Sequence, residues 1–165
     1  MKNSDKVFKT IQDNPGIYTR EIIRKTKLSN GVVQYHLQKL EKMSKIRGDK
    51  RTRYKRYYSL DVSEEEYPII ANLRKKTKQN LLFAILSSDD PCFEDVLKKI
   101  HKSPSTISWN ISGLIKDGIV EKVTKNGRQV YRVKNKALLR KTLEKEFSKL
   151  FKNSFEHEED VFLAF

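Results

Sequence analysis

Ser29-Asn30-Gly31-Val32-Val33-Gln34-Tyr35-His36-Leu37-Gln38-Lys39-Leu40 places its apolar residues Val33, Leu37 and Leu40 at spacings of four and three. That spacing puts them on one face of a helix turned toward a core. The opposite face carries Gln34, Tyr35 and Gln38, side chains suited to hydrogen bonding or stacking. Ser29 is a good N-cap, because its hydroxyl accepts from a free backbone N–H of the first turn. A helix with small residues at its start and a polar outer face can approach another surface closely.

The same pattern occurs again 74 positions later. Ser29 meets Ser103, Val33 meets Ile107, Tyr35 meets Trp109, Leu37 meets Ile111 and Leu40 meets Leu114. The shift holds upstream, where Phe8 falls on Leu82, Ile11 on Ile85, Ile22 on Val96 and Ile23 on Leu97, and downstream, where Ile46 falls on Val120. Two copies at so long a period read as a duplicated unit and not as a solenoid.

Each unit reads as helix, helix, short turn, helix, then a hairpin. In the first, helices are expected over 4–13, with Val7, Phe8 and Ile11 inward, from a Thr19 cap to Thr26, and from Ser29 to about Met43. Asn14-Pro15-Gly16 stops the first of them. Residues 46–60 read as two short strands around a Gly48-Asp49-Lys50 tip. Asp61–Pro68 is an acidic linker, followed by a connecting helix that begins at Ile69. The second unit is expected as helices over Thr77–Leu86, Phe93–Ile100 and Ser103–Asp117, with Gly118 as the C′ glycine. Its hairpin, Val120–Val133, turns at Asn126-Gly127. A last helix over 136–155 carries Leu139, Leu143, Phe147, Leu150 and Phe151 on one stripe. The expected fold class is mainly α with small β wings (α+β). It comprises a first winged helix-turn-helix domain (1–62), a linker (63–76), a second such domain (77–135), and a C-terminal helix and tail (136–165).

Charge points to an anionic partner. The chain has a formal net charge of +14 and a pI of about 9.8, a strong bias toward polyanions. Residues 1–66 hold 16 Lys and Arg against 9 Asp and Glu, residues 67–135 hold 13 against 6, and residues 136–165 hold 6 against 6. Both units are therefore basic and the tail is neutral. The first hairpin concentrates Arg47, Lys50, Arg51, Arg53, Lys55 and Arg56 around Asp49, more cations than edge protection requires. They are expected on phosphates, together with Lys125 and Arg128 of the second hairpin.

Other chemistries find little support. Cys92 is the one cysteine, so neither an intrachain disulfide nor a thiolate metal cluster can form, and a semi-buried thiol is a better reading of it than an oxidant sensor. His36, His101 and His157 are far apart and unaccompanied by a metal-ligand cluster. There is no Gly-x-Ser-x-Gly elbow, Cys–His arrangement or phosphate-binding glycine loop. No catalytic residue, metal or cofactor is expected. Without a signal-peptide core or an apolar run of about 18 residues, the expectation is a cytoplasmic, nucleoid-associated protein that does not span a membrane.

Ser29-Asn30-Gly31-Val32-Val33-Gln34-Tyr35-His36-Leu37 and Ser103-Pro104-Ser105-Thr106-Ile107-Ser108-Trp109-Asn110-Ile111 resemble archaeal tandem winged-helix transcriptional regulators related to the MarR and ArsR groups. The resemblance covers about residues 5–60 and 77–134. A His following the aromatic fits that pattern at His36; Asn110 departs from it, so base preference transfers less well to the second helix. The resemblance implies a sequence-specific regulator on double-stranded DNA. Such a helix enters the major groove with its N-terminal turns at the base edges. By position this nominates Asn30, Gly31, Gln34, Tyr35 and Gln38 in the first unit and Ser105, Thr106, Ser108, Trp109 and Ser112 in the second. Inter-domain packing is an equal alternative for Tyr35 and Trp109. A protein-interaction or assembly module and an RNA binder are the competing functions. The stripe Leu139, Leu143, Phe147, Leu150 and Phe151 is expected to form a homodimer interface.

Overall fold

The computed structural model describes residues 1–150. In chain order these form α1 (Asn3–Asp13), β1 (Ile17–Tyr18), α2 (Thr19–Thr26), α3 (Asn30–Lys42), β2 (Ile46–Asp49) and β3 (Arg56–Ser59). A turn of 3-10 helix, Glu64–Glu66, leads into α4 (Tyr67–Leu73) and α5 (Lys76–Leu86), then α6 (Phe93–Lys99), α7 (Pro104–Lys116), β4 (Val120–Lys125), β5 (Arg128–Val133) and α8 (Lys136–Leu150). Helices dominate, and both sheets are small and antiparallel.

Residues related by the 74-position shift occupy matching environments. Ile11 and Ile85, Ile22 and Val96, Val33 and Ile107, Leu37 and Ile111, Leu40 and Leu114, and Ile46 and Val120 are all buried. One cluster gathers the first of each pair and a second gathers the others. Apolar burial of this kind is the main stabilising contribution in each half. The helix starts match too. Ser29 Oγ accepts from the Val32 N–H at 3.4 Å and Ser103 Oγ from the Thr106 N–H at 3.2 Å. Upstream, the Tyr18 N–H donates to Glu21 Oε2 at 3.4 Å and the Cys92 N–H to Asp95 Oδ2 at 3.0 Å. Cys92 is thus a buried residue at a helix entry, and Tyr18, not Thr19, is the N-cap of α2.

The sheets differ, for a covalent reason. The first has the order β1-β3-β2 and includes a strand the sequence pattern did not reveal. Ile17 pairs with Tyr57 and Tyr18 with Arg56. At the 74-position shift Ile17 falls on Pro91, which has no N–H to give a ladder. One bond survives there, the Tyr131 N–H to the Pro91 carbonyl at 2.9 Å, and the second sheet has two strands, β4 and β5. Its turn is as expected, with Asn126 at φ 51° and Gly127 at φ 76°, the left-handed pair of a type I′ turn. The first hairpin keeps its expected span, but its connection is longer than the expected Gly48-Asp49-Lys50 tip. Gly48 and Asp49 belong to the ladder, opposite Tyr57 and Arg56, and residues 50–55 make the connection.

Between the halves the chain is structured sooner than its acidic composition implied. Helix α4 starts at Tyr67 and not at Ile69, and Tyr67 stacks on Tyr58 with ring centroids 3.8 Å apart. Gly16, at φ +78°, lies against this packing; a Cβ there would meet the Tyr58 hydroxyl and Ile70 at 3.2 Å. Arg74 joins α4 to the first half, donating to Glu21 Oε2 at 2.5 Å and to the Pro15 carbonyl at 3.2 Å.

Helix α8 corrects the expected dimer stripe. Leu139 and Leu143 are buried in the chain's own second cluster, and Phe147 and Leu150 pack against it half-buried. The stripe covers α4 and the second core, so Leu139 and Leu143 are not available to a partner chain. Phe151, the fifth, lies outside the described residues.

Two buried carboxylates sit where α8 meets the 3-10 turn. Glu66 accepts from the Ser63 N–H at 2.8 Å, the Ser63 hydroxyl at 3.1 Å and the Thr142 hydroxyl at 3.3 Å. Lys145 Nζ is 3.8 Å from Glu66. Glu146 is fully buried, and its carboxylate faces Lys149 Nζ at 3.3 Å. Burial raises the Glu146 carboxyl above its ordinary value, against the opposing pull of Lys149 and Lys145. A raised carboxyl favours the folded state while protonated and loses that contribution as pH rises through its folded value. Glu146→Gln should therefore gain thermal stability relative to the wild type as pH rises above the ordinary carboxyl value of 4.5. Melting curves across that range check it, and a relative gain by the wild type would reverse the assigned sign.

Candidate nucleic-acid interface

Burying Val33, Leu37 and Leu40 turns the other side of α3 outward. Asn30, Gly31, Gln34, Tyr35 and Gln38 are all exposed along that side, with Tyr35 at 60%. At Gly31 an added Cβ would meet nothing within 4 Å, so among the described residues the start of the helix is open at this position. The Tyr35 ring meets the His36 ring edge-on, with centroids 5.1 Å apart.

On α7 the residues Ser105, Ser108, Trp109 and Ser112 are exposed, Trp109 at 80%. Inter-domain packing therefore accounts for neither Tyr35 nor Trp109. Thr106 differs from its neighbours. It is half-buried, and its hydroxyl accepts from Ser103 Oγ at 2.8 Å, as part of the cap.

The first hairpin divides its six cations. Arg56 is a correction, being only 2% exposed. Its guanidinium donates to the Gly16 carbonyl at 2.7 Å and to the Tyr18 hydroxyl, and lies 4.0 Å from the Tyr18 ring centroid. Burial pushes it below its ordinary value. It ties β3 to β1 and has no face to offer a ligand. Lys55 is half-buried and crosses Gly48 to reach Glu41 at 2.8 Å; a Cβ on Gly48 would lie 1.9 Å from its Cε. Arg47 donates to Glu64 Oε1 at 3.2 Å. Arg51 Nε donates to Asp49 Oδ1 at 2.9 Å, and this bond raises the guanidinium above its usual value. Lys50 and Arg53 are exposed and pair with no acid among the described residues, Arg53 lying 5.3 Å from the Tyr54 ring centroid.

In the second hairpin Lys125 Nζ is 2.6 Å from Asp90 Oδ2, and Arg132 grips the same carboxylate at 2.6 and 3.0 Å. These two cations hold Asp90 well below the usual carboxylate range. Arg128 Nη2 donates to Cys92 Sγ at 2.8 Å. Asp90 and Arg132 were absent from the sequence-based set because they lie 42 residues apart, with no motif linking them. Among the described residues no group of His, Cys, Asp and Glu could hold a metal ion, and no helix is long and apolar enough to cross a membrane.

An exposed polar helix beside a basic hairpin, both set on a three-helix core, is the form of a helix-turn-helix protein with a wing. Residues 1–69 match a family model described as an N-terminal HTH domain. Over 134 residues the chain is 25% identical to a Methanocaldococcus jannaschii protein named an uncharacterized HTH-type transcriptional regulator. That similarity covers 81% of this chain and 34% of the relative, so the chain spans about a third of the relative's length. No solved structure matches.

Proposed function

We propose that this chain is a sequence-specific regulator on double-stranded DNA, of the tandem winged-helix, MarR/ArsR-like kind. Residues 1–62 and 77–135 are the two units, joined by 63–76. The outer face of α3 carries the reading: five consecutive outward positions, Asn30, Gly31, Gln34, Tyr35 and Gln38, stand uncovered on a helix whose other face is fixed in a core. Helix α3 fits the major groove, where Gln34 and Gln38 have the donor–acceptor pair that reads adenine. The uncovered N-terminus brings backbone N–H groups toward phosphate, and Lys50 and Arg53 of the wing meet the backbone. The similarity to an HTH family model and to a protein named a transcriptional regulator supports this reading.

Selection of bound fragments from random duplexes tests it. On the selected site Gln34→Ala is expected to lose about 1–3 kcal/mol at one base position while non-specific affinity stays nearly constant. Uniform weakening on every sequence would make Gln34 a positioning side chain instead. Arg53→Ala should reduce the salt slope of duplex binding by about one, the share of one phosphate.

The exposure of Trp109 favours a second reading for the second unit alone, as a protein contact. Trp109 is the one tryptophan in the sequence, so its fluorescence reports on α7. A changed emission on adding the selected duplex places α7 on DNA; unchanged emission with intact binding leaves α3 as the reader and α7 for another partner.

A further inference from the structure

We propose that Glu64 is a built-in competitor for the phosphate site of the first wing, an inference that rests on the DNA-binding reading. Arg47 Nη1 donates to Glu64 Oε1 at 3.2 Å, and Arg51 Nη2 reaches the Glu64 carbonyl at 3.5 Å while its Nε holds Asp49 at 2.9 Å. Carboxylate and phosphate oxygens take the same guanidinium fork. A phosphate that docks on Arg47 must displace the Glu64 carboxylate or sit beside a like charge.

Glu64 does not reach Arg47 by chance wandering of a long side chain. It is on the 3-10 turn Glu64–Glu66. Two residues on, the fully buried Glu66 pins that turn through Ser63 and through Thr142 of α8. The turn therefore holds a carboxylate against the wing at a fixed place, and the packing of α8 sets that place. The contact itself is exposed, with 55% of the Arg47 and 69% of the Glu64 side chain open to solvent. Exposed pairs of this type are weak and salt-screened, which suits a contact that DNA must exchange. The device lowers duplex affinity most at low salt and restrains binding to non-specific backbone.

Duplex titrations of the full chain at several salt concentrations test this with three variants. Glu64→Gln is expected to bind about two- to five-fold tighter than the wild type at low salt, the effect of releasing one exposed pair. That gain should shrink as salt rises. Glu65→Gln removes the same charge one residue away. Glu65 is exposed and reaches no wing cation among the described residues, so its gain should be clearly smaller. In an Arg47→Ala background Glu64→Gln should gain no more than Glu65→Gln does. Equal gains from the two glutamines would reduce the effect to bulk charge and overturn the proposal. Weaker binding by Glu64→Gln would overturn it by making Glu64 a support for the wing. A wild type that binds no duplex at any salt refutes the DNA reading itself and the proposal with it. Binding without a Glu64 effect refutes the proposal alone.

Discussion

Leu143→Asp is expected to unfold the second half of the chain and not to split a pair of chains. Leu143 is 3% exposed and packs with Leu139 in the cluster that includes Leu81, Ile107 and Ile111. The substitution removes buried apolar contact and places a carboxylate where the cluster offers it no partner. Deleting a buried leucine costs about 2–5 kcal/mol, and an unpaired charge adds to that. At about 2–4 °C per kcal/mol for a chain of this size, a loss of 10 °C or more in Tm is expected by circular dichroism. Leu143→Met, which keeps volume, should cost less than about 1.5 kcal/mol. A folded Leu143→Asp protein with its melting point intact, and half the sedimenting mass of the wild type, would restore the stripe as a dimer interface.

Arg56→Ala should act on stability and leave the salt dependence of DNA binding nearly unchanged. Its guanidinium satisfies the Gly16 carbonyl and the Tyr18 hydroxyl and lies on the Tyr18 ring. Hydrogen bonds from a charged donor contribute about 1.5–3 kcal/mol, and lost packing of the long side chain adds to this. A destabilisation of about 2–5 kcal/mol is expected, centred on the three-stranded sheet. Arg56→Lys should rescue little, because one ammonium cannot reproduce the fork and its stacking. The contrast with Arg53→Ala separates the two roles. Arg53→Ala should lower the salt slope with little change in melting, and Arg56→Ala should lower melting with little change in slope. The opposite pattern would put Arg56 at the interface.

Local signals in the sequence determined the helices, the two hairpins and the outward face of α3. A 3.6-residue apolar period, a serine before each third helix and Asn126-Gly127 act over a few residues, and the chain obeys them without reference to distant parts. The 74-position correspondence likewise anticipated which residues share a buried environment, since burial follows apolar spacing. Tertiary structure alone decided what meets what across long separations. The Ile17–Tyr18 strand is too short to show a period, and it exists only because β3 is there to pair with it. Arg56 reads as one more wing cation until Gly16, 40 residues earlier, is brought beneath it. The α8 stripe shows that a face is apolar but not which surface covers it, and here that surface is the chain's own core. Composition could count the cations of the first wing; only the fold could set Glu64, Asp49 and Glu41 against three of them, because a charge pair depends on distance in space and not on distance along the chain.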